Sequence, residues 1–318
     1  MQKKTKRHVL GYTLIIFILF LIFGGTAYGM TRYRGVKKAI DSTYHDSGVV
    51  KQRNGADQLK NKRPISILLM GTDTGALGRN DRGRTDSMMV ITLQPNKHKT
   101  TITSIPRDTA VNIPGYGRPS KINAAYSMGQ TKMAITAVQR LLNIPIDFYI
   151  LINMGGMEKV IDEVNGVQVT PTMDFEYEGY SFKKDHKTLM DGKKALAYTR
   201  MRHEDPNLDY GRQSRQRAVL TALVLKSTSM ANLLNQDFVD SLSDQTQTDM
   251  TFEDFKNITQ KYHLARKEIS QTHLQGESTE IDEQDMEVVD QYELQRVTDQ
   301  IRDNLGLDPA PTGNIEYR

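Results

Sequence analysis

From Pro64 onward the chain alternates short apolar runs with stretches of helical spacing. ISILLM (65–70) stops at Gly71, the form of a strand covered on both faces. SMMVITL (87–93) and TTITSI (100–105) repeat that form, joined by QPNKHK, a hairpin-like connection rich in turn formers. Over residues 122–142, Ala125, Met128, Met133, Ile135, Val138 and Leu141–Leu142 recur at helical spacing, and this stripe reads as core. DFYILI (147–152) predicts a strand, GMEKVIDEV (156–164) a helix closed by Asn-Gly, and VQV (167–169) a short strand. A loop rich in Tyr and acidic residues leads to a helix from Asp191 to about Arg202, and another begins after HEDPNLDYG. Residues 251–263 read as an amphipathic helix with Thr251 as N-cap and Asp254 at the capping-box position, and a last helix spans about 290–304. This alternation predicts an α/β fold, a central mixed β-sheet flanked by helices on both faces.

The N-terminus follows a different pattern. Val9 to Met30 carries no formal charge, roughly the ~20 residues that span hydrocarbon, and it follows Lys3, Lys4, Lys6 and Arg7. A cleaved signal peptide is the rival reading, since Ala27 and Gly29 resemble a cleavage site. The run is longer than a signal core of ~7–15 residues, which favours one retained N-terminal transmembrane helix. Arg32, Arg34, Lys37 and Lys38 nearly balance the first cluster, so charge says little about orientation. Residues 31–61 are polar without sustained periodicity and read as a stalk. The expected division is a cytoplasmic N-terminus (1–8), an anchor (9–30), an extracytoplasmic stalk (31–61), a catalytic domain (62–308) and a tail (309–318).

Composition narrows the chemistry. Cysteine is absent, which excludes disulfides and thiolate metal sites, and the seven histidines form no HExxH pair. The net charge of +4 is unevenly placed: the chain is basic to about residue 220 and acidic beyond it. A membrane-flanking segment and a local anion site account for this better than a nucleic-acid surface, and no nucleic-acid partner is expected.

Three charged clusters sit where an α/β sheet places ligands, beyond strand ends and at helix termini. They are GTDTGALGRNDRGRTD (71–86), SIPRDT (104–109) and YTRMRHEDPNLDYGRQSRQ (198–216). A single Arg–Asp pair in a loop is usually a surface ion pair worth ~0–1 kcal/mol. Here, however, Arg82, Arg84, Arg107, Arg200, Arg202, Arg212 and Arg215 are all arginine and never lysine. Arginine is suited to planar, bidentate recognition of phosphate oxygens. Asp73 and Asp86 flank a strand end beside these arginines, and magnesium is commonly held by one or two carboxylates plus substrate phosphates. No GxxxxGK[ST] loop and no kinase motif set occurs.

LLMGTDTG with GRTDSMMVITL, SIPRDTAVNIPGYG, KINAAYSMG, LINMGGMEKVIDEVNGVQV, MDGKKALAYTRMRH and DYGRQSRQ, in this order, resemble the LytR-CpsA-Psr family of bacterial cell-wall enzymes. The likeness runs from about Ile65 to at least Lys226. It implies a phosphotransferase at the cell membrane, single-pass and with its C-terminal domain extracytoplasmic. Such an enzyme moves a phosphate-linked glycopolymer from a polyprenyl-pyrophosphate lipid to peptidoglycan, using Mg2+. By the same resemblance, Asp73 and Asp86 are metal-associated carboxylates. Arg84, Arg107, Arg200, Arg202 and Arg212, with Asp209 and Gln216, are pyrophosphate-binding, and Arg84, Asp86 and Arg107 are the catalytic set. Asp81 and Arg82 read as solvated neighbours. Asp86 and Asp108 both remain candidates for the general base. The competing readings are a lipid-pyrophosphate binder or pyrophosphatase without transfer, and a regulator of cell-wall genes.

Overall fold

The computed structural model describes residues 33–72, 83–153, 156–201, 205–206, 208–227, 240–241 and 245–313. Its centre is a sheet of β1 (Ile65–Thr72), β2 (Thr85–Gln94), β3 (Lys99–Ile105), β4 (Phe148–Asn153), β5 (Thr246–Thr248) and β6 (Glu268–His273). The spatial order is β5-β4-β1-β2-β3-β6. β2 pairs antiparallel with both β1 and β3, while β4 lies parallel to β1 and β6 parallel to β3. The sheet is therefore mixed, as the alternation predicts.

All eight residues of β1 are buried, so both of its faces are covered. The covering helices are α1 (residues 33–42), α2 (Gly55–Lys60), α3 (Ala124–Leu142), α4 (Met157–Glu163), α5 (Gly192–Arg200), α6 (Leu208–Ser227), α7 (Phe252–Lys261) and α8 (Gln291–Leu305). Side chains alternate between two cores. Ile67, Leu69, Met89, Ile91 and Ile102 join Val160, Val219 and Leu220 from α4 and α6. Leu68, Met70, Met88 and Val90 join Ala134, Val138, Val297 and Ile301 from α3 and α8.

Three boundaries differ from expectation. The segment read as a polar stalk carries α1, whose Val36, Ala39 and Ile40 are buried in the first core. That i, i+3, i+4 triplet is one helical turn, too short to register as sustained periodicity. Residues 43–45 then cover the outer edge of β5: His45 N–H donates to Thr248 O (2.8 Å), and Thr248 N–H to Thr43 O (3.0 Å). At the other end, Thr312 is buried, with its N–H bonded to Gln295 Oε1 (2.9 Å), so the described part of the predicted tail belongs to the domain. The helix predicted to reach Arg202 ends at Arg200. Within α3, Gly129 and Gln130 leave helical geometry and kink the helix. No helix among the described residues is long and apolar enough to cross a membrane, and the predicted span at 9–30 lies outside those residues.

Candidate active site

β1 and β2 meet irregularly at the end that carries the first cluster. Gly71 pairs with Ser87 and Thr72 with Thr85, so Asp86 is the extra residue of a β-bulge. A bulge re-aims a side chain out of the pleat, and here it turns a carboxylate out of a strand that is otherwise almost wholly buried. Two residues earlier, Arg84 is exposed. Asp73, Asp81 and Arg82 lie outside the described residues.

Arg107 comes to Asp86 from the turn after β3. Pro106 O accepts both the N–H and the hydroxyl of Thr109 (3.1 and 2.7 Å). Arg107 O accepts Asn123 N–H (3.1 Å), and Thr109 O accepts Ile122 N–H (2.8 Å). Pinned on both sides, the turn directs Arg107 Nη1 to Asp86 Oδ1 at 2.5 Å. Its Nε lies 3.5 Å from Asp108 Oδ2, and Lys121 Nζ lies 3.0 Å from Asp108 Oδ1. The quartet Asp86–Arg107–Asp108–Lys121 alternates in charge, which fixes the guanidinium plane at the strand edge. The charged pattern did not single out Lys121, because its partner Asp108 is brought to it only by the fold.

The third cluster divides into two roles. Arg215 is 2% exposed and is a structural pin. Its Nε donates to Tyr198 O (3.0 Å), Nη2 to Met201 O (2.5 Å), and Nη1 pairs with buried Asp205. It thereby satisfies carbonyls at the end of α5, where the helix has no further turn to do so. Its guanidinium also lies 5.5 Å from the Phe175 ring centroid. The Tyr198 phenol packs beside Phe175 and Phe182, and burial pushes its pKa up to about 12. Gly211 is required here, since a Cβ would fall 1.7 Å from Asp205 Oδ2.

The remaining residues of the cluster are spread along the exit of α5 and the start of α6. Arg200, the last residue of α5, is exposed, with Nη1 3.8 Å from Glu178 Oε1. Arg202 and the Asp209 side chain lie outside the described residues. Arg212 is buried on α6, one turn before Gln216. α6 packs across the sheet at β2, where the Thr221 hydroxyl lies 3.9 Å from Met89 Sδ. Gln216 Oε1 and the hydroxyls of Thr85 and Ser87 are buried with no hydrogen-bond partner among the described residues. Unmet buried polar atoms at a strand end mark a place where a ligand or ordered water completes the structure.

The LytR_cpsA_psr family model matches residues 28–303. This chain belongs to that family. It is 40% identical to the polyisoprenyl-teichoic acid–peptidoglycan teichoic acid transferase TagU of Enterococcus faecalis, over 92% of this chain and 95% of that protein. The crystal structure of B. subtilis TagU superposes with a TM-score of 0.63 at 34% identity, covering 79% of this chain and 100% of that one. A structure of TagT bound to LI-WTA has a TM-score of 0.64 at 25% identity, covering 81% and 95%.

Asp86 is a hard oxygen donor at a strand edge, and its described contact with Arg107 uses Oδ1, leaving Oδ2 for a cation. Among the described residues no group of three or more His, Cys, Asp or Glu side chains is gathered. Magnesium takes one or two carboxylates and completes its shell with phosphates and water, and Asp86 is one donor of that kind.

Proposed function

We propose that this chain is a membrane-anchored, extracytoplasmic phosphotransferase that moves a teichoic-acid-type glycopolymer from a polyprenyl-pyrophosphate carrier to peptidoglycan. One observation carries the reading: the bulge that sets Asp86 against Arg107, within a charge-alternating quartet at the strand ends. The names of the relatives, matched over nearly their full length, support the donor and the acceptor.

In the proposed reaction an acceptor sugar hydroxyl attacks the phosphorus nearer the glycan. The bond from that phosphorus to the bridging oxygen breaks, polyprenyl phosphate leaves, and a new phosphodiester joins glycopolymer to peptidoglycan. The hydroxyl proton passes to a carboxylate of the site, Asp86 or Asp108. Arg84 and Arg107, with Arg200 at the end of α5, Arg202 after it and Arg212 on α6, bind the pyrophosphate oxygens and the charge that grows on them. Gln216 Oε1 accepts from a donor on the bound substrate or its water. Asp73 and Asp86 would hold Mg2+, which would supply positive charge to offset that of the pyrophosphate.

The regulator reading fares worse on one observation. α6 buries Arg212, Arg215, Val219, Leu220 and Leu223, so it is locked into the core and is not a helix presented to a DNA groove. The deciding experiment incubates the full-length chain with a polyprenyl-pyrophosphoryl glycan, magnesium and peptidoglycan oligomers. The expected product is a covalent glycan–peptidoglycan conjugate that disappears with EDTA while the thermal midpoint holds. Free glycan phosphate instead would make it a pyrophosphatase, and no turnover of bound lipid would make it a binder. Protease added outside intact protoplasts should remove the folded domain and spare the N-terminus; protection of the domain would overturn the topology.

A further inference from the structure

α6 has a second flank, through Ser214, Arg217, Ala218, Ala222 and Leu225, that is only partly buried. Between this flank, the edge strand β6 and residues 168–172 lies an open groove of 490 Å3. Gln271 and His273 pair in register with Ile102 and Ser104, and Ile102 faces the core that α6 covers. The groove therefore runs under α6 and out over an exposed edge. Its inner end adjoins the quartet. Ser104, on the groove wall, lies two residues before the Pro106–Thr109 turn that carries Arg107 and Asp108.

The lining chemistry selects an occupant. Gln168, Thr172, Ser214, Thr221 and Gln271 offer amides and hydroxyls. Ala218 and Ala222 add small apolar surface to the lining. Arg217 is the one permanently charged side chain of the lining. A polyanionic chain with a phosphate in each repeat would call for cations along its length. A polyprenyl tail would call for predominantly apolar walls. A neutral, amide-bearing sugar chain matches both the polarity and the lack of charge.

We infer that this groove binds the acceptor, an uncharged N-acetylated glycan strand, and leads its hydroxyl toward the Asp86–Arg107 end of the sheet. The inference rests on the phosphotransfer reading for its meaning, but its test is independent of turnover. A tetramer of β-1,4-linked N-acetylglucosamine is titrated calorimetrically into the full-length chain, into Gln271→Trp, which fills the groove from an exposed edge position, and into Gln168→Ala. The tetramer should bind the parent chain and bind each variant at least tenfold more weakly, while affinity for the pyrophosphate lipid stays within twofold. Absent binding to the parent, unchanged binding in both variants, or displacement of the tetramer by polyprenyl phosphate would overturn the assignment. The two readings separate cleanly. Groove-dependent tetramer binding without any conjugate sustains the groove and sinks the transferase. A conjugate formed with the same acceptor KM by the parent and by Gln271→Trp does the reverse.

Discussion

Arg107 and Arg215 are both arginines in charged motifs, and the structure gives them opposite tasks. Arg107 is held between Asp86 and Asp108 at the strand edge, part-exposed, where a substrate can meet it. Replacement by lysine keeps the charge but loses the planar fork. Turnover by Arg107→Lys should fall ~100-fold, the scale of a lost transition-state donor, with a much smaller loss of affinity for the pyrophosphate lipid. Equal losses in the two measurements would mean uniform binding and remove Arg107 from the catalytic set. Arg215, by contrast, is a buried charge satisfied by Asp205 and two carbonyls. Removing one partner of such a pair typically costs ~3–5 kcal/mol. Arg215→Met should lower stability on that scale in urea unfolding, and Asp205→Asn should do so in the same direction. A shift within experimental error would show that the pair is dispensable.

At the level of elements, the caps explain why several helices begin where the pattern says. The capping box of α7 is complete: Thr251 Oγ1 accepts Asp254 N–H (3.2 Å), and Asp254 Oδ2 accepts Thr251 N–H (2.9 Å). Thr251→Ala should cost about 1 kcal/mol, read as a lower urea midpoint with an unchanged slope. In α8, the Arg296 guanidinium beside Glu293 holds that carboxyl below the usual range, helped by Gln275 N–H. The sign follows from linkage. A depressed carboxylate contributes stability above its unfolded pKa and loses it as pH falls through its folded value. Arg296 is substantially exposed, so the effect is that of a screened pair, below ~1 kcal/mol. Glu293→Gln should therefore lower the midpoint at neutral pH and converge with the parent chain in acid. A difference that persists undiminished in acid would assign the effect to packing.

Across the whole molecule, the segment before β1 is part of the domain and closes it. Val36 and Ile40 are buried, Arg53 forks onto buried Asp147 (2.6 Å to each oxygen), and residues 43–45 bond the edge of β5. Each buried Val or Ile side chain contributes ~1.5–3 kcal/mol, and an uncovered edge strand invites association. A chain beginning at residue 46 should lose several kcal/mol and self-associate, whereas one beginning at residue 32 should keep the full stability of the domain. Equal stability of the two by urea unfolding would restore the stalk reading.

The sequence by itself determined four of the six sheet strands (β1 to β4), the two-faced helical cover, the α7 capping box and the family, because each is written in local runs, fixed offsets or ordered motifs; β5 and β6 are short or mostly polar and carry no such run. It also marked Asp86 and Arg107 as chemistry-bearing, through residue type at strand ends. Residue type alone did not distinguish Arg215 from Arg212; only the ordered motifs left Arg215 out of the site, and its pairing with buried Asp205 supplies the physical reason. Nor did the sequence show that Asp86 is a bulge residue, because a bulge is a mismatch between two strands and neither carries it alone. The groove beside α6 was equally invisible. Gln168, Thr221 and Gln271 are unremarkable polar residues in sequence, and only the crossing of α6 over a sheet whose last strand returns from residue 268 brings them to one surface.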